Sequence, residues 1–315
     1  MLNRRHIRIK LLQILYSYRQ SKEDNIELGV KELFHSIDRM YDLYILLMTS
    51  LNELKHMAEL KLEERKSKIR PTSEDLNPNL KLVENELINS LANNKVLIGV
   101  SNQRKVNWLG VEKQELFRKM FNDVLESETY FNYMNNGLQG ALEDSEFAIQ
   151  IFKNEIINSK YLINFFEDEN IYWQDDLDLC ASMTIKSLKT WKRTKECEVL
   201  PMFKPNDDEK EFMTKLFRYA VLHQEENEIL ISKFSDNWEF DRIAKMDVYL
   251  LELAISELLI FQEIPTKVTL NEYIEISKFY STPRSNQFIN GVLDKIIDYL
   301  KKEKKLIKTG RGLVN

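Results

Sequence analysis

An all-α fold is what the sequence predicts, on two observations. Punctuation is sparse: 315 residues hold eight glycines and six prolines, and the prolines pair off as Pro71 and Pro78, Pro201 and Pro205, and Pro265 and Pro283. Between these breaks run long segments rich in Leu, Ile, Glu, Lys and Asn. A β fold would instead place turn residues about every ten positions. The chain is long enough to bury a sizeable core, as one large domain or two ordinary ones, without disulfides or metals.

The first helix is expected from Asn3 to Gln20. Steps of 100° gather Ile7, Leu11, Ile14, Leu15 and Tyr18 on one face and Arg5, Arg8 and Arg19 on another, with Tyr16 beside them and Gln13 further round. From Val30 to Arg70 no Gly or Pro intervenes, and Leu33, Ile37, Met40, Tyr44, Leu47, Leu51, Leu54 and Ala58 form a narrow seam along one long helix. Pro71 to Pro78 reads as a loop, Leu80 to Ala92 as a helix and Gly99 to Gly110 as a connection. Residues 111–135 and 143–166 read as helices, the second with Phe147, Ile151, Ile156, Leu162 and Phe166 as apolar positions, and Asp175 to Trp191 as a shorter one. Pro201 to Pro205 is the best boundary in the chain.

Beyond it, helices are expected over Asp207 to Lys233 and Phe240 to Phe261. The next is expected to start near Thr269, with Thr269 and Glu272 as a capping box and Val268 and Tyr273 as a hydrophobic staple. The last is expected at Thr282, with Pro283 in the first helical position, where its missing N–H costs nothing. Phe147 to Trp191 and Phe212 to Phe261 share a weak likeness, each a long helix leading through aromatic residues (Trp173; Trp238) into an apolar helix. It needs gaps and carries no functional inference.

Composition excludes several classes. Cys180 and Cys197 with four scattered histidines provide neither a disulfide framework nor metal-ligand spacing, and read as ordinary thiols. The amino-terminal residues lack a continuous apolar stretch and no later segment approaches a membrane span, so a cytoplasmic protein is expected. A net charge of −5 argues against a general polyanion binder. Its distribution is uneven, however: Arg4, Arg5, Arg8, Lys10, Arg19 and Lys22 precede the first acid, Glu23, and the last residues carry Lys301, Lys302, Lys304, Lys305, Lys308 and Arg311. The stretch 304–315 reads as a flexible basic tail.

The run from Pro265 to Ile296 resembles the closing signature of the NusB family of transcription antitermination factors. The matching positions are Pro265, Lys267, Val268, Leu270, Asn271, Glu272, Lys278, Phe279, then Phe288, Ile289, Asn290, Gly291, Val292, Leu293 and Asp294. The opening from Arg4 through Gln13, Leu15 and Tyr16 is similar to that family's Arg-rich first helix. Ile243 to Leu258 is similar to its apolar helix, with Asp247 in the acidic position and Glu257 and Leu258 closing it. Glu252 stands where many family members carry Arg, which puts any family contact at that position in doubt. The resemblance implies a NusB-like helical bundle made of residues 1–22 and 207–303. A large inserted helical region of unassigned role, 23–206, would lie between them.

It also implies function. Cations paired with aromatic or planar groups suit single-stranded RNA, since they meet phosphates and stack on exposed bases. Arg4, Arg5, Arg8 and Lys10 are candidates for phosphate, and Gln13 and Tyr16 for bases. Arg284 and Phe288, at the start of the last helix, are further candidates, Arg284 because free N–H groups there also favour anions. By resemblance, the RNA would be a boxA-like element of nascent ribosomal transcripts. The partners would be the ribosomal protein NusE, contacted through Asp247, and the RNA polymerase antitermination complex. No catalytic residue, metal or cofactor is implied. Two alternatives stay open: a helical protein scaffold built on the Leu33 to Ala58 seam, and a module of the kind attached to ribosomal RNA cytosine methyltransferases.

Overall fold

A computed structural model describes residues 2–21, 24–203, 208–235 and 242–313, and every regular element among them is helical. Helix α1 (Arg4–Ser21) is followed by α2 (Ile26–Lys66), which buries all eight seam residues from Leu33 to Ala58. The expected loop after Pro71 contains a single helical turn, α3 (Ser73–Leu76). Thr72 caps it by accepting from the Asp75 N–H while Asp75 accepts from the Thr72 N–H, a capping box the loop reading passed over.

Helix α4 (Glu86–Ala92) begins later than the spacing suggests, at Asn85, whose side chain accepts from the Ile88 N–H. Where a connection is expected, α5 (Lys95–Arg104) forms across Gly99, started by the Asn94 cap and stopped by Lys105 in the left-handed region. One glycine costs a helix only about 1 kcal/mol, which a good cap offsets. Residues 111–135 split into α6 (Val111–Glu126) and α7 (Glu128–Asn135), because Ser127 ends the first and caps the second through the Tyr130 N–H. Next come α8 (Ala141–Ile151), a π-helical turn at Phe152–Ile156, α9 (Lys160–Glu169), a 3-10 turn at Ile171–Trp173 and α10 (Leu177–Thr194).

The helix expected over Asp207 to Lys233 is two, α11 (Asp208–Leu222) and α12 (Gln224–Phe234), broken at His223, whose ring stacks 3.8 Å from Tyr219. The expected starts at Asp207 and Phe240, together with Lys22, Pro205 and Trp238, lie outside the described residues. Then follow α13 (Lys245–Ile260), α14 (Thr266–Tyr280) and α15 (Ser285–Lys302).

The capping box at Thr269 does not form. Helix α14 starts directly after Pro265, so Thr269 is already internal, with its hydroxyl donating to Glu257 Oε1 at 2.8 Å. Val268 is 43% exposed while Tyr273 is fully buried, so no staple joins them. Pro283 lies in the turn before α15, and Ser285 makes the entry: its Oγ accepts from the Thr282 N–H and donates to Asp247.

The chain divides into two compact units. The first, Asp38–Met202, packs α8 against α4, α7 and α10. Tyr133 stacks on Phe147 at 3.8 Å and donates to Asp144, and Asn85 donates to the Asp144 carbonyl and Tyr133, so this buried polar cluster is satisfied. Trp108 packs on Phe117 and donates to the Leu46 carbonyl. Cys180 and Cys197 are buried free thiols, and burial pushes the Cys197 thiol up to about 12.

The second unit comprises Leu2–Ile37 and the chain from Phe203 onward. Helix α13 is its centre, packed by α1, α11, α12, α14 and α15. Its Leu250, Leu251, Leu253, Ala254, Ile255 and Leu258 are all fully buried, each large one contributing about 1.5–3 kcal/mol. The tail does not run free from residue 304. Lys308 donates to the Leu258 and Phe261 carbonyls at the end of α13, and the Thr309 N–H donates to the Gln262 carbonyl. Unpaired carbonyls at a helix end attract a cation, which explains the anchorage.

Candidate nucleic-acid interface

The basic opening helix is built differently from a simple two-faced helix. Ile7, Leu11, Ile14, Leu15 and Tyr18 are buried as the spacing predicts, but so are Leu12, Arg8 and Lys10. Arg8 is 2% exposed and makes a bidentate pair with Glu257, Nε to Oε2 at 2.7 Å and Nη2 to Oε1 at 2.6 Å. Thr269 and Tyr273 donate to the same carboxylate, at 2.8 and 3.1 Å. Burial alone would push the guanidinium down, yet the hydrogen bond and charge of Glu257 outweigh it and hold it well above its ordinary value. A satisfied, dry ion pair of this kind fixes α1 on α13 and α14 and leaves Arg8 no face for phosphate. Lys10, at 2% exposure, is likewise withdrawn from solvent.

Arg4 and Arg5 remain at the surface. Arg4 lies 4.2 Å over the Phe212 ring, a cation–π contact that leaves its N–H groups available. Arg5 is 44% exposed and forks onto Glu272, Nε at 2.9 Å and Nη2 at 2.8 Å, holding that carboxylate below its usual range. An anion at Arg5 therefore competes with Glu272. Gln13 is half-buried, and Tyr16, 40% exposed, meets Tyr249 edge-on at 5.9 Å. Arg4 and Tyr16 stand about 18 Å apart along the helix.

A second group gathers where α13 and α15 begin. Arg242, Asp247, Arg284 and Phe288 line a cleft of about 480 Å³. Arg284 is exposed in the turn before α15 and Phe288 is half-buried. Asp247 is 5% exposed and accepts from Ser281 Oγ at 2.6 Å and Ser285 Oγ at 2.8 Å, so its carboxylate tethers the entry to α15. A direct contact from Asp247 to a partner would have to break those bonds.

Sequence reasoning passed over Lys245, whose Nζ lies 3.4 Å from Gln20 Oε1, and Tyr249, which accepts from Gln20 Nε2 at 3.2 Å. Both lie at the Tyr16 end of α1. Phe279, named only as a motif position, is 82% exposed at the end of α14. Glu252 and Glu257 carried a readable signal: acids embedded in the apolar run LELAISEL call for buried cations, and Arg19 and Arg8 supply them. The Glu252 carboxylate lies 3.6 Å from Arg19, beyond hydrogen-bonding reach, and neither of its oxygens has a hydrogen-bond partner.

Among the described residues no cluster of His, Cys, Asp and Glu could hold a metal ion, and no helix is long and apolar enough to cross a membrane.

Residues 177–298 match the NusB family model. Three relatives are transcription antitermination proteins NusB: from Salinibacter ruber, 50% identical over 33% of this chain; from Chloroherpeton thalassium, 41% over 34%; and from Natranaerobius thermophilus, 49% over 23%. The matched segments span 66%, 50% and 52% of those relatives' own lengths, under two thirds in each case. No solved structure matches the chain. The family match begins at the first residue of α10, runs through α11 to α14 and ends within α15, and does not include α1. Residues 177–298 thus carry a likeness to the NusB family, within a long chain whose described regular elements are all helical.

Proposed function

We propose that this protein is a transcription antitermination factor. In this reading it binds boxA-like single-stranded RNA of nascent ribosomal transcripts together with the ribosomal protein NusE, within the RNA polymerase antitermination complex in the cytoplasm. The RNA-binding part is residues 1–22 with 207–303, and 23–206 lies between them as an inserted region, the last stretch of which, 177–206, falls within the family match. The observation that carries the reading is the surface of α1. Arg4 is held over Phe212 and makes no ion pair among the described residues, Arg5 lies beside it, and Tyr16 is presented at the other end of the same helix. Cations at one end and an exposed ring at the other suit a strand whose phosphates and bases are read together. Arg8 acts by positioning, since its pair with Glu257 sets how α1 lies. Lys10 and Gln13 support the same helix.

Arg284 and Phe288 extend the surface at the start of α15, with Lys245 as an additional cation. Asp247 serves the NusE side through the turn it tethers. No step of bond making is involved. The test is the affinity for a boxA-like RNA, measured with and without NusE at moderate salt. Binding that tightens when NusE is added supports the reading; absence of binding in both conditions refutes it.

A further inference from the structure

The unit formed by Asp38–Met202 carries a cationic surface of its own. Helix α10 buries Cys180, Ala181, Met183, Thr184, Ser187, Leu188 and Trp191, which turns Ser182, Lys186, Lys189 and Arg193 to solvent. At 100° per residue the three cations fall within an arc of about 60° and span about 10 Å of helix. No acid follows Asp178 in α10.

Neighbouring cations of the same helix region are neutralised: Lys192 pairs with Glu146 at 3.2 Å and Lys195 with Glu86 at 3.7 Å. Elsewhere in this unit Arg39, Arg104, Lys55 and Lys68 also have carboxylates within 4 Å. Among the described residues, Lys186, Lys189 and Arg193 make no ion pair or hydrogen bond, so they hold nothing of the fold together. Like charges three and four residues apart cost a helix a few tenths of a kcal/mol each. The helix beneath them is well fixed, since Tyr44 bonds Ser187 at 2.6 Å and accepts from the Leu200 N–H, and Thr190 receives the Glu198 N–H.

We propose that Lys186, Lys189 and Arg193 form a second RNA surface, which takes the phosphate backbone of single-stranded RNA without reading its bases. The proposal rests on the RNA-binding reading above. The choice of RNA follows from charge complementarity and from what the face lacks: its cations follow one another about 4.5 and 6 Å apart along the helix axis, and no exposed apolar residue stands among them to enter a bilayer.

The test is the salt dependence of binding to a single-stranded RNA of about 30 nucleotides of mixed sequence by the full chain. Each lost phosphate contact lowers the slope of log K against log salt by about 0.7. Lys186→Gln, Lys189→Gln and Arg193→Gln together should therefore lower it by about 2 and weaken binding about ten- to a hundredfold near 0.1 M KCl. Ser182→Lys, which adds a cation to the same face, should steepen the slope, and serves if the triple variant folds poorly. Loss in both the α10 triple and an Arg4→Gln, Arg5→Gln variant supports both surfaces. Loss in the α10 triple alone supports this proposal and overturns the role given to α1. Loss in the α1 variant alone overturns this proposal and leaves the role of α1 standing. Unchanged RNA slopes in both variants overturn both, as does weaker binding of the triple to phosphatidylserine vesicles with RNA binding unaltered.

Discussion

Glu252 should make the stability of the α13 unit depend on pH near neutrality. Its side chain is fully buried in α13, with Arg19 at 3.6 Å as the nearest cation and Glu228 of α12 adding negative charge. Burial is the main cause that pushes the carboxyl up to about 7 from an ordinary 4.5; Arg19 opposes this and Glu228 reinforces it. Because the folded value is the higher one, the folded state holds the proton more tightly. The contribution is thus fully present below about pH 4.5 and lost as the pH rises through about 7. At 1.36 kcal/mol per tenfold change in protonation equilibrium, the interval corresponds to about 3 kcal/mol.

Glu252→Gln removes the titration. The stability of the variant relative to the parent should therefore rise by about 2.5 kcal/mol between about pH 5 and about pH 8. Hydrogen exchange of the amides of 245–260, corrected for intrinsic rates, reads this unit alone, which matters in a chain of two units where a single unfolding transition is not assured. An advantage equal at the two pH values would show that the carboxyl does not titrate there. A variant less stable at both would make the Arg19 pair a net stabilising contact.

Arg8→Ala leaves the Glu257 charge buried with only Thr269 and Tyr273, and should cost about 3–5 kcal/mol in urea unfolding. Pairing it with Glu257→Leu should recover much of that, and a variant as stable as the parent would remove Arg8 from its positioning role. Gly29→Ala places a Cβ 2.5 Å from the Phe217 ring and 2.9 Å from Tyr18. The clash should cost about 1–3 kcal/mol despite alanine's better helix propensity, and a raised thermal midpoint would contradict that packing.

The apolar residues were the legible part of this molecule. All eight seam residues of α2 and the five apolar positions expected for α1 are buried, because period alone decides which face turns inward. Charged residues were read less well. Arg8 looked like a solvent cation because its partner, Glu257, lies 249 residues away in sequence, and a pattern within one helix holds no record of it. Thr269 and Glu272 also look like caps locally, yet Thr269 serves Glu257 on the preceding helix and Glu272 serves Arg5, 267 residues away. Helix ends set by single side chains, such as Asn94 and Ser127, were also missed, since Asn and Ser are equally at home in loops. Of the candidate site, Arg4, Arg5, Tyr16, Arg284 and Phe288 reach at least partly to solvent, while Arg8, Lys10 and Asp247 belong to the interior.

The proposed function rests on the exposed end of α1 holding RNA. It is tested most directly by the salt dependence of boxA-like RNA binding for an Arg4→Gln, Arg5→Gln variant compared with the parent chain. Loss of two phosphate contacts should lower the slope by about 1.4 and weaken binding at moderate salt. A slope and affinity equal to the parent's would place the RNA elsewhere on the protein.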